Sequence, residues 1–518
     1  MRKNHKLLLG NLVRQNATVR PNETAIIYED NKLTFKQLDE DTNKLANALI
    51  GIGVEKGDRV GILLLNPHIS TIYYFACAKI GAVLVPISFM ASESEMIYII
   101  NKVEVSTLCY SQDFFEVVNK MKEHTSSIER YILFEGNKRQ KEMFSYVDLM
   151  MSASAKEPVG IIIDEDDPHV IIFTSGTTGH PKGAVISHRS YYLLAGVLTH
   201  KLTMSPKSIY LNAYPMFHMA GIVGVLGGTY EGYAVVMISV PPTSIKLLDA
   251  IQRFKVTHFL AVPTIWKRLL AFPDFDNYDL SSLKVAMGAS DSMPEELLQQ
   301  IHNRTSATCP QLYGLTEGGI LTYLEADDAL RKIGSSGQAH CQAELRVVDE
   351  KGNDVKNGET GEIICRSPHQ MLYYCDMPEA TASTINEDGW LSTGDLARFD
   401  EENYLYIVGR KKDMIISGGQ NIYPAEIERV LNEHPSIFEA CIVGLTDKEW
   451  GEAVAAAIVL EQNVAMTETE VIEYVRKELA SYNKPKYVKF FSSLPRTAAT
   501  GKLQKVEIRK NLVEEFTL

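Results

Sequence analysis

Residues 171–184 read Ile-Ile-Phe-Thr-Ser-Gly-Thr-Thr-Gly-His-Pro-Lys-Gly-Ala, an apolar strand that runs directly into a loop of hydroxyls, glycines and one lysine. Glycines let backbone N–H groups converge on an anion, hydroxyls add donors, and lysine adds positive charge. The pattern differs from the GxxxxGK[ST] loop because Lys182 is followed by Gly183. The segment therefore predicts a polyphosphate-binding loop of another kind, formed by Thr174, Ser175, Gly176, Thr177, Thr178, Gly179 and Lys182.

Short apolar strands alternate with longer helical patterns on both sides of this loop. Strands are predicted near residues 24–28, 58–65 and 82–86, with a helix over 38–50, and the same rhythm recurs over 209–284. Such alternation is typical of a largely parallel sheet covered by helices. The expected fold class is α/β, with a large N-terminal domain of helix-covered sheets.

The sequence changes character near residue 340. Strands predicted at 344–349, 362–365 and 404–408, with polar turns between them, indicate a β-rich subdomain over about 340–409. After Arg410 comes a compact segment in which helical and strand patterns both occur. It predicts helices and strands of a small α+β lid domain. The expected division is 1–409 for the N-terminal domain, 410–412 for a hinge and 413–518 for the lid.

The composition excludes several classes of protein. The chain has 518 residues, 45% of them hydrophobic and 23% charged, and its 52 basic and 65 acidic side chains give a net charge of −13. This is the composition of an ordinary globular protein. Nucleic-acid binding needs a basic footprint, so we expect no nucleic-acid partner. One basic stretch, residues 484–510, is either a solvated face or a surface that meets phosphates.

The cellular compartment of the protein is predicted from the pattern of its cysteines and the length of its apolar runs. The seven cysteines are scattered and form no CxxC pair, which favours a reducing cytoplasm. The apolar run after the basic start is too short for a signal peptide. The longest uncharged stretch, residues 208–230, contains Asn212, Pro215 and His218. It therefore predicts a buried strand, loop and helix around a site, and we expect no integral membrane segment.

Further motifs follow the loop in order. They are QLYGLTE at 311–317, STGD at 392–395, GRKKD at 409–413, SGGQNIYPAE at 417–426 and PRTAATGK at 495–502. With the loop they resemble the adenylate-forming superfamily, which includes acyl- and aryl-CoA synthetases, firefly-luciferase-like enzymes and peptide-synthetase adenylation domains. The resemblance covers residues 24 to 505, and the text after the hinge is most similar to fatty-acid–CoA ligases.

The resemblance implies a nucleotide site whose residues also make physical sense. Tyr313 offers a flat face for adenine, and Asp395 can accept hydrogen bonds from ribose hydroxyls. Glu317 is a hard oxygen ligand suited to Mg²⁺, with Thr177 beside it. Arg410 can reach ribose or phosphate. Further contacts to ATP or AMP are implied for Gln311, Gly314, Thr316, Ala289, Ser290 and Asp291, although the charge of Asp291 is unusual at its position.

The resemblance also implies a two-step reaction. Lys502, Thr177, Lys182 and Glu317 are the expected catalytic residues of acyl-adenylate formation. A lysine on a mobile loop can neutralise charge that develops during phosphoryl transfer. The lid then rotates about Lys412 and presents Gly418 and Gly419 to the CoA thiol.

The acid is expected to lack an α-amine. Peptide-synthetase adenylation domains have an aspartate after the phenylalanine of the motif PMFHMAG, where this chain has His218. An unpaired buried ammonium would be costly. His218 either lines the acid pocket or is a satisfied core histidine. Apolar or small residues implied in the pocket are Met219, Gly221 and Leu315.

The predicted function is an AMP-forming acid–thiol ligase that uses ATP, Mg²⁺ and coenzyme A as co-substrate, with a fatty acid favoured. One alternative is an aryl-CoA ligase of the benzoate or cinnamate type. Another is an adenylating enzyme that loads the phosphopantetheine of a carrier protein. A non-catalytic scaffold of the same fold is disfavoured because Lys502 and Glu317 are both present.

Overall fold

The computed structural model describes residues 6–136, 142–174, 181–239, 241–289, 293–496 and 503–516. Up to the phosphate loop, its helices are α1 (Leu9–Val19), α2 (Phe35–Gly51), α3 (Pro67–Ile80), α4 (Glu93–Lys102), α5 (Phe115–Met121) and α6 (Tyr146–Ser152). The strands of this part are β1 (Thr24–Tyr28), β2 (Asn31–Thr34), β3 (Arg59–Leu63), β4 (Val83–Pro86), β5 (Thr107–Ser111), β6 (Arg130–Phe134), β7 (Phe144–Ser145) and β8 (Pro168–Thr174).

After the loop the α/β rhythm continues. The strands are β9 (Lys182–Ser187), β10 (Ile209–Asn212), β11 (Ala234–Met237), β12 (His258–Ala261), β13 (Val285–Ala289), β14 (Gln311–Leu315), β15 (Gly319–Leu324) and β16 (Gln338–Ala339). The helices are α7 (His188–Lys201), α8 (Met219–Glu231), α9 (Ser244–Phe254), α10 (Pro263–Leu270) and α11 (Glu295–Thr305).

The remaining elements form the β-rich part and the C-terminal part. The first comprises β17 (Glu344–Val348), β18 (Gly361–Arg366), β19 (Tyr373–Tyr374), α12 (Pro378–Thr384), β20 (Leu391–Phe399) and β21 (Leu405–Arg410). The second comprises β22 (Ile415–Ser417), β23 (Gln420–Ile422), α13 (Pro424–Asn432), β24 (Ile437–Asp447), β25 (Gly451–Leu460), α14 (Glu468–Glu478), β26 (Tyr487–Phe490) and α15 (Lys505–Phe516).

Two large sheets form the body of the N-terminal part. One has eight strands in the order β19-β9-β8-β4-β3-β5-β6-β7, and the other has nine in the order β16-β15-β14-β13-β12-β10-β11-β1-β2. Their central pairs are parallel, whereas β8 and β9 pair in an antiparallel fashion around the phosphate loop. The predicted α/β class with a largely parallel sheet is confirmed.

Helix α3 lies in the core and is apolar on nearly every side. Its Tyr73, Tyr74 and Phe75 are at most 1% exposed. They belong to an apolar cluster that also contains Ile172 of the eight-stranded sheet and Ile26 of the nine-stranded sheet. A helix that is hydrophobic all round must be buried, and α3 is therefore packed among strands of both sheets.

Two smaller sheets follow. Strands β17, β18, β20 and β21 form a four-stranded antiparallel sheet, where a β-rich subdomain is predicted. The C-terminal part is a five-stranded sheet of β22 to β26 with α13, α14 and α15. This agrees with the predicted small α+β lid, while the exact domain limits stay predictions.

The uncharged stretch at 208–230 folds as predicted, as strand β10, a loop and helix α8. Within the described part of the chain, no helix is long and apolar enough to cross a membrane. All seven cysteines are free thiols, and only Cys341 among them is exposed.

Candidate active site

The ends of β8 and β9 hold the phosphate loop at its base. Thr174 pairs with Lys182 across the two strands, so the loop between them is closed by a hydroxyl on one side and an ammonium on the other. The loop itself lies outside the described residues. The predicted phosphate contacts that lie outside the described residues are Ser175, Gly176, Thr177, Thr178 and Gly179.

Glu317 lies against the base of this loop. Glu317 is 9% exposed. Its Oε1 accepts two hydrogen bonds of 2.9 Å, one from the Thr174 hydroxyl and one from the Tyr374 hydroxyl. The Nζ of Lys182 lies 4.9 Å from the centre of the Tyr374 ring. Within the described ranges Glu317 makes no ion pair. A buried carboxylate held by neutral donors has the chemistry of a ligand for a hard cation such as Mg²⁺.

Tyr313 and Asp395 are brought together from different sheets. The Tyr313 hydroxyl donates a 2.7 Å hydrogen bond to Oδ2 of Asp395, and the Arg410 guanidinium lies 3.2 Å from Oδ1. Burial, together with the neighbouring Asp395 charge, raises the pKa of Tyr313 well above its ordinary value. The phenol therefore keeps its proton and acts as donor. Asp395 of β20 and Arg410 of β21 face each other across the two strands, and Tyr313 of β14 reaches them through its hydroxyl, so the three predicted nucleotide contacts lie together.

The predicted adenine loop is tied to Gln311. Strands β13 and β14 are parallel, with Ala289 opposite Leu312. Met293 N donates a 3.2 Å hydrogen bond to Oε1 of Gln311, whose buried Nε2 has no partner among the described residues. This places the two ends of the loop beside β14. Its predicted contacts Ser290 and Asp291 lie outside the described residues.

The turn after Tyr313 is closely packed against the next strand. Gly314 is exposed, but a Cβ there would lie 2.1 Å from the Gly319 carbonyl oxygen, so only glycine fits. Thr316 and Leu315 are partly buried in the same turn, directly before Glu317.

Three of the four predicted acid-pocket residues, His218, Met219 and Gly221, lie at the start of helix α8, whereas Leu315 ends strand β14. His218 is the N-cap of α8, and its Nδ1 accepts a 3.1 Å hydrogen bond from Ala220 N. Its ring stacks on Tyr214 with 6.3 Å between centroids. Met219 is partly buried and packs on the main core. A Cβ on Gly221 would lie 2.2 Å from the Pro215 carbonyl oxygen, so close helix packing requires this glycine. Their role in acid binding stays a prediction.

Comparison with known proteins identifies the family. Residues 13–375 match the AMP-binding enzyme family, and residues 426–502 match the AMP-binding enzyme C-terminal domain. The chain belongs to the AMP-binding, adenylate-forming enzyme family.

Its relatives in this family are CoA ligases of several kinds. An indoleacetate–CoA ligase of Aromatoleum aromaticum is 33% identical, with 97% of this chain and 98% of that protein covered. A long-chain-fatty-acid–CoA ligase of Mycobacterium tuberculosis is 34% identical at the same coverage. The structure of an anthranilate CoA ligase with anthranoyl-AMP superposes with a TM-score of 0.91 at 28% identity, covering 99% of this chain and 98% of that one. The predicted membership and enzyme class are confirmed.

In this adenylate-forming chain the predicted hinge lies between two sheets. Arg410 ends β21, residues 411–413 form a short 3-10 turn, and β22 begins at Ile415. Lys412 is exposed, and Lys411 pairs with Glu362 at 2.8 Å. The chain thus passes from the four-stranded sheet to the C-terminal sheet through the predicted pivot.

Gly418 and Gly419 form the exposed tip of the β22–β23 hairpin. Both have positive φ, at 56° and 79°, which favours glycine. A Cβ on Gly418 would lie 2.7 Å from the Trp450 ring, and Gly418 N donates to Trp450 O at 2.9 Å. Their predicted role toward CoA stays a prediction.

Lys502 lies outside the described residues, but both ends of its loop are anchored. Arg496 pairs with Leu503 in an isolated bridge. Gln504 N donates to Pro495 O at 2.9 Å. Arg496 also forms an ion pair with Glu439. The residues on either side of the undescribed segment that contains Lys502 are therefore held together.

The basic stretch 484–510 is neutralised by acidic neighbours. Six of its eight cations lie within ion-pair distance of carboxylates on other elements or on α15 itself, and Lys502 lies outside the described residues. The pairs are Lys486–Asp447, Lys489–Glu515, Arg496–Glu439, Lys505–Glu428, Arg509–Glu452 and Lys510–Glu514. These ion pairs favour a solvated charged face over a surface that meets phosphates, and the choice between the two stays a prediction.

Tyr374 is the site residue that sequence reasoning missed. It belongs to a two-residue strand, and 57 residues separate it from Glu317. A short pairing of β19 with β9 brings it to the site. No motif of charge or glycine marks this segment, so the contact is visible only in three dimensions.

Proposed function

We propose that this protein joins a carboxylic acid to coenzyme A at the expense of ATP, through an acyl-adenylate and with release of AMP and pyrophosphate. The observation that carries the proposal is the cluster at the base of the phosphate loop. There, the buried Glu317 carboxylate accepts hydrogen bonds from the Thr174 and Tyr374 hydroxyls, and the Lys182 ammonium lies over the Tyr374 ring. Anionic and cationic groups so arranged suit a metal-bound polyphosphate.

In the first half-reaction, the acid carboxylate attacks the α-phosphate and pyrophosphate leaves. Lys182 and the loop hydroxyls bind the departing phosphates, and Lys502 neutralises charge at the α-phosphate. Asp395 accepts from the ribose hydroxyls while Tyr313 packs on adenine. The hydrogen bond between these two side chains fixes their relative position.

Mg²⁺ is the proposed metal. Glu317 fits it, because its carboxylate is nearly buried and receives only neutral donors within the described ranges. The Thr177 hydroxyl is the second proposed ligand. When bound, the ion neutralises phosphate oxygens and orients them for in-line displacement.

In the second half-reaction, the thiol of CoA attacks the acyl carbon and AMP leaves. The lid pivots at Lys412, which withdraws Lys502 and brings the Gly418–Gly419 hairpin to the thiol. Exposed glycines at this tip support the assignment, because they let a pantetheine arm approach the backbone closely.

A fatty acid is the favoured substrate. His218 caps helix α8, and Met219 beside it and Leu315 at the end of β14 are apolar, partly buried residues packed against the same core. The fatty-acid–CoA ligase relative supports this choice. Aryl acids are the second candidate, supported by the indoleacetate and anthranilate ligases among the similar proteins. A cytoplasmic location is proposed with this metabolic role.

The test is AMP release from ATP, Mg²⁺ and CoA across a panel of carboxylic acids, with the thioester identified by mass spectrometry. The panel spans short to long fatty acids, benzoates, cinnamates and amino acids. A maximum among fatty acids is expected, and a maximum among aryl acids would select the alternative. AMP release without acyl-CoA would direct attention to a carrier-protein thiol. Acid-independent ATP hydrolysis alone would contradict the proposal.

A further inference from the structure

Tyr374 touches both charged groups at the base of the phosphate loop. Its hydroxyl donates to Oε1 of Glu317 at 2.9 Å, and the Lys182 ammonium lies over its ring at 4.9 Å from the centroid. The latter distance is within the range of a cation–π contact. One side chain therefore joins the carboxylate of the site to its lysine.

The backbone holds Tyr374 firmly in this position. It pairs with Ala184 of β9, while its flanking residues Leu372 and Cys375 each donate a 2.8 Å hydrogen bond to β9 carbonyls. The Tyr374 N–H donates to the Thr381 hydroxyl at 3.0 Å. Because β9 begins at Lys182, the tyrosine is fixed to the strand that leaves the phosphate loop.

The hydrogen bonds leave one oxygen of Glu317 for other partners. Tyr374 and Thr174 both donate to Oε1, and the described residues provide no hydrogen bond to Oε2. A tyrosine hydroxyl is protonated at neutral pH, so it donates to the carboxylate and does not compete with it for a cation. The carboxylate is thus held by Oε1, while Oε2 has no hydrogen-bond partner among the described residues.

We infer that Tyr374 is a positioning residue, which holds Glu317 by Oε1 so that Oε2 is available to the divalent cation of the nucleotide. This rests on the proposed function, in which Glu317 is a ligand of Mg²⁺. Hydrogen bonds to a ligating carboxylate fix its orientation, and their loss typically weakens metal binding by about 10- to 100-fold.

The decisive variant is Tyr374→Phe, which removes the hydroxyl and keeps the ring beneath Lys182. Mn²⁺ binding is measured by electron paramagnetic resonance in the presence of α,β-methylene-ATP, and the apparent KM for Mg²⁺ and kcat are measured by AMP release. We expect metal affinity to fall by about tenfold, with a larger change in the KM for Mg²⁺ than in kcat. The matched control is Tyr373→Phe, because Tyr373 is the adjacent residue of the same strand and is 42% exposed.

A double-mutant cycle separates positioning from general packing. In a Glu317→Gln background, Tyr374→Phe should change metal affinity by less than about twofold, because the two residues act as one unit. A full additional loss in that background would overturn the inference. Equal metal affinity of Tyr374→Phe and Tyr373→Phe would overturn it as well. If Tyr374→Phe does not fold, Thr174→Val removes the other donor to Oε1 and is expected to weaken metal binding in the same way.

Failure of this inference is distinct from failure of the proposed function. Acid-dependent AMP release by the unmodified protein, with normal metal dependence of Tyr374→Phe, refutes only the positioning role. Metal binding that depends on Tyr374 and Glu317, without acid-dependent AMP release, refutes the proposed ligase and leaves the positioning role in place.

Discussion

The hydroxyl of Tyr313 donates a 2.7 Å hydrogen bond to Oδ2 of Asp395, which joins β14 of the nine-stranded sheet to β20 of the four-stranded sheet. The carboxylate is 6% exposed and 82 residues away in sequence. This contact fixes a flat aromatic face beside a hydrogen-bond acceptor, as adenine and ribose require. It also makes the four-stranded sheet part of the proposed nucleotide site.

Tyr313→Phe should lower both stability and affinity for ATP. The ring remains, but a buried carboxylate loses a donor, which costs about 1–3 kcal/mol of the free energy of unfolding. The KM for ATP should rise because Asp395 loses one of the groups that hold it, although Arg410 still lies 3.2 Å from its Oδ1. Urea unfolding and AMP release measure the two effects. The control is Tyr323→Phe in β15, since the Tyr323 hydroxyl makes no hydrogen bond within the described part of the chain. Equal stability of the two variants would contradict the expectation.

Lys502→Ala should separate the two half-reactions. Adenylate formation should fall by at least about 10³-fold, a magnitude typical of losing a group that stabilises transition-state charge. Thioester formation from supplied acyl-adenylate should persist, because the proposed rotation of the lid withdraws the lysine at that stage. Lys510→Ala is the control, since Lys510 is an exposed lysine of α15 whose ion pair with Glu514 is long, at 4.0 Å. Equal loss of both half-reactions would refute the alternating lid.

Gly221→Ala should destabilise the protein by about 1–3 kcal/mol through overpacking. The added Cβ would lie 2.2 Å from the Pro215 carbonyl oxygen, so backbone must move at the start of α8. Gly51→Ala is the control, because Gly51 ends helix α2 and a Cβ there would meet no described atom within 4 Å. Denaturant unfolding measures both. An unchanged free energy of unfolding of Gly221→Ala would contradict the close packing at the start of α8.

Much of this arrangement follows from local sequence. The apolar strand before Thr174 and the loop after it predicted the phosphate site, and the alternating strands predicted the α/β fold. The motif around Tyr313 and the motif around Asp395 each indicated a nucleotide contact, but not that the two side chains bond to each other. That bond depends on how two sheets pack.

The remaining features depend on tertiary contacts that no local pattern encodes. His218 caps a helix, which is evident only once the start of α8 is known. The basic stretch is neutralised by carboxylates such as Glu428 and Asp447, which are distant in sequence. Tyr374 reaches Glu317 because a two-residue strand pairs with β9. Propensity is a weak guide to such short strands.

A buried histidine pair predicts loss of stability in mild acid. His169 and His188 are at most 1% exposed, with 4.9 Å between ring centroids. Burial lowers the pKa of both, that of His188 to about 4, where the charge of Asp167 acts to raise it and that of Lys56 to lower it. The unfolded chain binds protons near pH 6.5, where the folded chain does not. The contribution of the two neutral imidazoles to the free energy of unfolding is therefore fully present above about pH 6.5 and is lost as the pH drops toward 4. For His188 alone the loss is roughly 3 kcal/mol.

His188→Gln should remove part of this pH dependence. The free energy of unfolding is measured in urea at pH 7.5 and pH 5, and the difference between the two values should be smaller in the variant than in the unmodified protein. His200→Gln is the control, because His200 is exposed near the end of the same helix α7. If both variants keep the full pH dependence, other groups cause the loss of stability in acid. If His188→Gln alone reduces the pH dependence, the neutral His188 imidazole stabilises the protein where it packs beside His169 of β8, the strand that ends at Thr174.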